Sequence, residues 1–399
     1  MEPRPITLDE LPAFLAAVGT AFHHTATPEE TELLRRVIEP ERTLVLRDRG
    51  RIVAAAAIFS RRLTVPGGEV PVAAVTQVGV LPTHRRRGMM TVLMRRQLGD
   101  VHDAGREPVA ALWASEAAIY GRFGYGYATE CAELEVDRGE ARPAPVTDAA
   151  VELLPPADAI DAMRPIHAVA RRERAGMLDR DGAWWDVRID DPEPERVGAQ
   201  PLRAAVVADE AYALFAVAPR FEHGRAVGEV RVREIVAATP RGTAAAWAFL
   251  LGLDLTRRVV YELAPTDEPL PHMLADARAV RRRVGDALWV RLVDLPRALA
   301  ARTYGPPFEV VLDVADEACP WNAGRWALRW DGTAATCART SLPAGLALGA
   351  ADLGACYLGG TRLEVLAHAG RVTELRPGAL TAAGRGFGGD RAPWCPEIF

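Results

Sequence analysis

Three consecutive arginines, Arg85, Arg86 and Arg87, stand immediately before Gly88 in the run VGVLPTHRRRGMM, Val78 to Met90. A strand-like apolar run precedes them and a helical spacing follows, so the chain passes through a basic glycine turn into a helix start. At any helix N-terminus four backbone N–H groups lack partners, and the helix dipole makes that end positive. Gly88 lets a large anion approach the backbone closely, and arginines pair well with phosphate oxygens. The chemistry this points to is the binding of a pyrophosphate. A solvated basic surface turn accounts for the same residues equally well. The spacing is neither GxxxxGKS/T nor GxGxxG, which sets aside the usual nucleoside-triphosphate and dinucleotide loops.

The elements that must position this loop follow from the hydrophobic pattern. Between Arg42 and Val80 three β-rich stretches are broken at RDRG and PGGE, an antiparallel meander, which disfavours a Rossmann unit. Met90, Leu93, Met94, Leu98 and Val101 recur at mostly three- and four-residue spacing, the stripe of an amphipathic helix closed by DAG. The strand PVAALWA comes next, and Ser115-Glu116 opens a short helix through Tyr120. The result is a mixed α/β domain expected over residues 1–145.

A Pro-rich junction, ARPAPVTDAAVELLPPADA, marks a boundary, and the segment 146–294 repeats the plan. Strands RAAVVA, AYALFAVA and GEVRVREIVAA lead through Arg241-Gly242 into a helix and the strand RRVVYEL, with the tri-arginine loop lost. The region 295–399 brings strands FEVVLDV, GRWALRW and GTAATCAR and a helix-like LALGAADLGACYLGG. Trp321, Trp326 and Trp330 read as core and sheet-face aromatics. The closing RAPWCPEIF is apolar where most termini are polar, so it is expected to be tucked in.

Composition narrows the function. A chain of 399 residues is too long for one hydrophobic core and implies two or three domains. A net charge of -5 argues against a nucleic-acid partner. No apolar run reaches the ~20 residues of a membrane span and no basic-then-apolar leader is present, so a cytoplasmic location is expected. Five scattered cysteines without a CxxC predict neither a disulfide framework nor a metal site. All 48 basic side chains are arginine, so an enzyme that modifies primary amines would find no lysine target on its own chain.

The run Arg85 to Met90 resembles the acyl-coenzyme A loop of the GNAT N-acetyltransferases, R/Q-x-x-G-x-G/A, with Met90 replacing the small last residue. That departure, together with SEAAIYGRFGYGYAT, LTVPG, DEPLPHML and the C-terminal aromatic acid, resembles the enhanced intracellular survival (Eis) family. The resemblance covers nearly the whole chain and is strongest from Leu63 to Thr129. It implies an α/β (α+β) fold of two tandem GNAT-like mixed-sheet domains followed by a sterol-carrier-protein-like α/β domain. The first would bind acetyl-coenzyme A (acetyl-CoA) as co-substrate, the second would be degenerate, and the third would return the C-terminus to the active site.

The resemblance also implies roles. Val78, Gly79 and Val80 would meet the pantetheine and the acetyl carbonyl. Arg85, Arg86, Arg87, Gly88, Met89, Met90 and Thr91 would form the pyrophosphate nest. Ser115 and Glu116 would touch the cofactor again, though Ser115 reads equally as a helix N-cap. Tyr120 matches the family's general acid; a buried phenol bonded to a carbonyl is the other reading. The terminal carboxylate of Phe399 matches its base. An unperturbed α-carboxyl titrates at ~3.3–3.7, so burial or a water relay would have to assist it, and a terminus docked for stability is the alternative. Phe22 would be an aromatic wall of the amine pocket, and His24 stands where an acid is expected. Ile398 likewise takes an acidic position, with Glu397 one step earlier. Trp185, Asp286 and Trp289 would add walls, core packing serving equally for the two tryptophans.

The function expected is acetyl-CoA-dependent N-acetyl transfer to primary amines of aminoglycoside-like or lysine-containing substrates, by direct attack in a ternary complex. The alternative is a non-catalytic acyl-CoA- or lipid-binding regulatory protein. A homo-oligomer is expected, a hexamer by family resemblance.

Overall fold

A computed structural model describes residues 1–141 and 148–399. Part of the Pro-rich junction, and with it the expected 145/146 boundary, lies outside the described residues. The chain forms two compact units. The first joins Met1–Thr129 to Ala287–Asp390 and Ile398–Phe399; the second joins Glu130–Asp286 to Arg391–Glu397.

In the first unit a seven-stranded sheet begins with β1 (Arg4–Pro5), β2 (Leu44–Asp48), β3 (Arg51–Val65) and β4 (Gly68–Val80). It continues through β5 (Val109–Trp113) and the strand Leu288–Leu292 to β6 (Gly126–Tyr127). Helices α1 (Leu11–Phe22), α2 (Pro28–Arg35), α3 (Met89–Ala104) and α4 (Ala117–Tyr120) accompany it. As the turn signals predict, β2, β3 and β4 form an antiparallel meander. The chain then crosses through α3 and returns as β5, parallel to β4. The stripe Leu93, Met94, Leu98 and Val101 buries α3 against alternate β3 residues, Ala54, Ala56 and Ile58. The helical period of 3.6 and the strand period of 2 thus meet in one core.

The β4–β5 ladder is short, pairing Val72 with Val109, Ala73 with Ala110 and Ala74 with Ala111. β5 is held along its full length on its other edge, from Leu288 opposite Trp113 to Leu292 opposite Val109. Beyond Ala74 and Ala111 the sheet therefore opens between two strands that remain supported on their outer sides.

Sheet membership crosses the expected domain limits. The strand Leu288–Leu292 lies between β5 and β6, whereas Glu130–Asp137, which directly follows β6 in sequence, joins the other unit's sheet. Thr129 locks the return of the chain: its backbone bonds Ala287 and Leu288, and its hydroxyl accepts the Leu288 N–H at 2.9 Å.

A five-stranded sheet in the same unit runs in the order Ala335–Arg339, Gly324–Trp330, Phe308–Ala315, Leu346–Gly349, Val372–Glu374. The helix-like LALGAADLGACYLGG starts as a strand, because Leu346 to Gly349 pair in parallel with Leu312 to Ala315 before the helix Ala350–Cys356 begins. Trp326 and Trp330 are buried, and Trp321 stacks on His102 with centroids 4.1 Å apart, in line with their reading as packing residues. That helix meets the larger sheet at near backbone contact: a Cβ on Gly354 would lie 2.2 Å from the Val290 carbonyl oxygen, and one on Gly126 1.8 Å from that of Ala351. A buried Arg291–Asp316 pair at 2.6 Å fastens the same junction.

The second unit builds its own seven-stranded sheet around Trp185, Trp247, Tyr212 and Tyr261. Its helix Pro240–Gly252 repeats the strand-to-helix turn. Here the Thr239 hydroxyl caps the Gly242 N–H and Glu210 pairs with Arg241, so side chains of the chain itself occupy the helix start. The terminal segment is pinned by the Trp394 indole on the Leu263 carbonyl at 2.7 Å and by Glu397 on buried Arg180 at 2.6 Å. Arg180 also makes a two-point contact with Glu234, each at 2.8 Å. Burial pushes the Glu234 carboxyl up, but the guanidinium groups of Arg180 and Arg188 outweigh it and hold it well below the usual carboxylate range.

Gly354→Ala is expected to lower the thermal midpoint, the overpacking cost being ~1–3 kcal/mol. A melting curve identical to wild type would show that the helix can retreat from Val290 without loss.

Candidate active site

The opening between β4 and β5 is widened by a bulge. The β3–β4 register pairs Ala57 with Thr76 and resumes at Ala55 with Gly79, so Gln77 and Val78 face the single residue Ala56. Gln77 takes φ +54°, a left-handed conformation rare for a side-chain-bearing residue. Two cavities flank this point and share walls at Phe22, Val78 and Ser115.

The larger, about 760 Å³, is basic. Its wall runs from Val78, Gly79 and Val80 through Arg85, Arg86 and Gly88 to Met89, Met90 and Thr91, and closes with Ser115 and Glu116. Arg86 at φ +61° and Gly88 at φ +76° are both left-handed, which folds the loop back onto the first turn of α3. The first bond within α3 is Val92 N–H to the Gly88 carbonyl at 3.1 Å, so the N–H groups of Met89, Met90 and Thr91 precede the helical ladder. The Arg85 guanidinium donates to the Ala21 and Val80 carbonyls at 3.2 and 3.4 Å, tying the end of α1 to the loop. Arg87 is exposed and is not part of this lining. Arg122 takes its place, with its guanidinium 3.7 Å from the Met90 sulfur.

The smaller cavity, about 600 Å³, is walled mainly by apolar side chains of α1 and α2, the bulge, the end of β5, and Ile398 and Phe399. Tyr120 lies in its wall, 4% exposed, with its ring edge-on to Tyr125 at 6.2 Å. Burial pushes the Tyr120 phenol up to about 12, the charge of Glu116 adds to this, and a hydrogen bond with Ser115 partly offsets it. Ser115 is therefore no helix cap: Glu116 holds the capping position of α4, without a side-chain bond, and the Ser115 hydroxyl serves Tyr120. Phe22 and His24 line the same cavity.

Comparison with known proteins supplies the lineage. The Acetyltransferase (GNAT) domain family matches residues 2–128 and a second family of the same description matches 176–292, while the Sterol carrier protein domain matches 295–396. An uncharacterized N-acetyltransferase of Streptomyces coelicolor is 44% identical, covering 100% of both chains. N-acetyltransferase Eis of Mycobacterium tuberculosis is 35% identical over 92% of this chain and 91% of its own. The crystal structure of Eis1 from Mycobacterium abscessus superposes with a TM-score of 0.87 at 33% identity, covering 100% of each chain. This chain belongs to the Eis family of GNAT N-acetyltransferases.

It is an N-acetyltransferase whose mixed α/β fold comprises two GNAT domains and a C-terminal sterol-carrier-like domain. Three of the expected pocket walls lie elsewhere. Trp185 is packed in the second unit's core, 1% exposed, against His167, Tyr212 and the Arg180 guanidinium. Its size and its place beside a buried arginine make it a core residue. Asp286 is exposed at the end of the strand Val280–Asp286. Trp289 leans on Tyr127 at 6.0 Å and on the core of the first sheet.

Conversely, Glu30, Leu34, Gln77, Trp113 and Arg122 line the cavities without having been singled out in the sequence. For Glu30 a signal existed: TPEE is a capping box, with Glu30 accepting the Thr27 N–H at 2.6 Å and Thr27 accepting that of Glu30 at 3.1 Å. A polar Gln77 inside an apolar strand was a second.

A titration of wild type against Tyr120→Phe should show no tyrosinate absorbance assignable to Tyr120 at pH 10.5, where an unburied phenol would be largely ionised. A difference spectrum that rises with a midpoint near 10 would contradict the burial described.

Proposed function

We propose that this enzyme transfers the acetyl group of acetyl-CoA to a primary amine by direct attack in a ternary complex. The observation that carries the reading is the meeting of a basic cavity and an apolar one at Val78 and Ser115, with a buried phenol, Tyr120, in the apolar wall and hydrogen-bonded to Ser115. The residues fit the donor. The free N–H groups of the first turn of α3, beside Arg86 and Arg122, suit a pyrophosphate, and Val78 to Val80 suit an extended pantetheine.

Bound acetyl-CoA supplies a thioester, whose acyl carbon accepts the amine nitrogen and whose sulfur departs. The backbone of Gln77 and Val78, released from the ladder by the bulge, is available to stabilise charge on the carbonyl oxygen. Tyr120, kept protonated by burial, gives its phenolic proton to the sulfur and is reprotonated afterwards. The terminal carboxylate of Phe399 takes the proton that the substrate ammonium must lose before its nitrogen can attack, and the proton lost as the amide forms returns to the Tyr120 phenolate. In this reading residues 1–145 carry the donor site, 146–294 a degenerate copy, and 295–399 deliver the terminus. The expected acceptors are aminoglycoside-like or lysine-containing, and the enzyme is read as a cytoplasmic homo-oligomer.

Tyr120→Phe should lower kcat by about ten-fold or more while the KM for acetyl-CoA stays near wild type, because only a proton donor is removed. Undiminished turnover would eliminate Tyr120 as the acid. Extending the chain by a short tag beyond Phe399 should abolish turnover without lowering the melting temperature; a fully active tagged enzyme would remove the terminal carboxylate from the reaction.

A further inference from the structure

The apolar cavity is unusual for a pocket that must accept a cation. Most of its walls are apolar, among them Leu15, Val18, Leu34, Val75 and Leu112, and the residues with a carboxyl group on it are Glu30 and the C-terminal Phe399. Glu30 is held firmly. Its Oε2 accepts the Thr27 N–H at 2.6 Å and faces the His24 imidazole at 3.2 Å. Its Oε1 has no hydrogen bond among the described residues, and its side chain is 20% exposed. One oxygen is thus spent on the cap of α2, and the other is left for whatever enters.

We propose that Glu30 is the specificity-determining residue of the acceptor pocket, taking a second cationic group on an amine whose body is apolar, so that the preferred acceptor is an α,ω-diamine or a primary amine of that pattern. The inference rests on the acetyl-transfer reading and narrows its acceptors to the lysine-like pattern, with aminoglycoside-like amines ranked below it. A fixed carboxylate oxygen pairs one cation strongly, since hydrogen bonds to charged groups are the stronger class. The apolar walls gain from covering a methylene chain, since apolar surface leaves water on binding. A polyhydroxylated polycation would instead bring many polar groups into a cavity whose polar side chains besides Glu30 are His24, Thr76, Gln77, Ser115 and Tyr120, and each group left against leucine or valine carries a desolvation cost. His24, where the family pattern implies an acid, adds no negative charge; its Nε2 hydrogen-bonds Oε2 at 3.2 Å and so leaves Oε1 as the contact.

The test compares diaminopentane, pentylamine and kanamycin as acceptors by thiol release from acetyl-CoA, with wild type and Glu30→Gln. Glutamine keeps an acceptor oxygen for the Thr27 N–H, so the cap of α2 survives. In wild type the diamine should show a kcat/KM about ten-fold or more above the monoamine, with kanamycin poorest. Glu30→Gln should remove that preference by raising the KM for the diamine at unchanged kcat, leaving pentylamine unaffected. Equal effects on both amines, no wild-type preference for the diamine, or kanamycin as the best acceptor would overturn the proposal. Should the variant fail to fold, the wild-type ratio and its fall with added salt decide alone. Thiol release with none of the three would instead overturn the acetyl-transfer reading on which this inference stands.

Discussion

The site depends on one constraint in the sheet: two parallel strands that pair through three residues and then part. Past Ala74 and Ala111, β4 stays bonded to β3 and β5 to Leu288–Leu292, so neither can close the gap. Buried backbone groups normally find partners, and a strand pair that stops pairing in the middle of a sheet leaves polar backbone for a ligand. The bulge at Gln77 and Val78 enlarges this effect at the point where the cavities meet. The strand Leu288–Leu292, borrowed from beyond the second unit, is thus part of the machinery that keeps the site open.

Around that gap the chain separates two electrostatic tasks. On one side are arginine side chains and the unpaired amides of a helix start, a surface made for anions. On the other are apolar walls with two carboxylates and a phenol that burial keeps protonated. Tyr120 is enclosed by the core, whereas Phe399 is partly exposed. The second unit repeats the strand-to-helix turn, where the Thr239 hydroxyl accepts the Gly242 N–H and donates to Glu210.

Much of this was legible in the sequence because it is local. The meander, the stripe of α3 and the RRRG turn are short-range patterns, and each folds as its spacing dictates. Phe22, Ser115, Tyr120 and the last two residues line one cavity. What could not be read was long-range. The exchange of Leu288–Leu292 and Glu130–Asp137 between sheets depends on which edges are free, which no local period encodes. Trp185 reads from the sequence equally as a wall or as core, because a tryptophan suits both, and its burial beside Arg180 decides for the core. Glu30 is masked by its capping role: the same side chain that caps the start of a helix also lines a cavity.

Amide hydrogen exchange with and without acetyl-CoA tests the central claim most directly. The parting of β4 and β5 predicts that the ligand slows exchange at Gln77 to Val80 and at Met89 to Thr91, with the strand pairs around Ala74 and Ala111 unchanged. Equal exchange at those amides in the presence of saturating ligand would contradict the account.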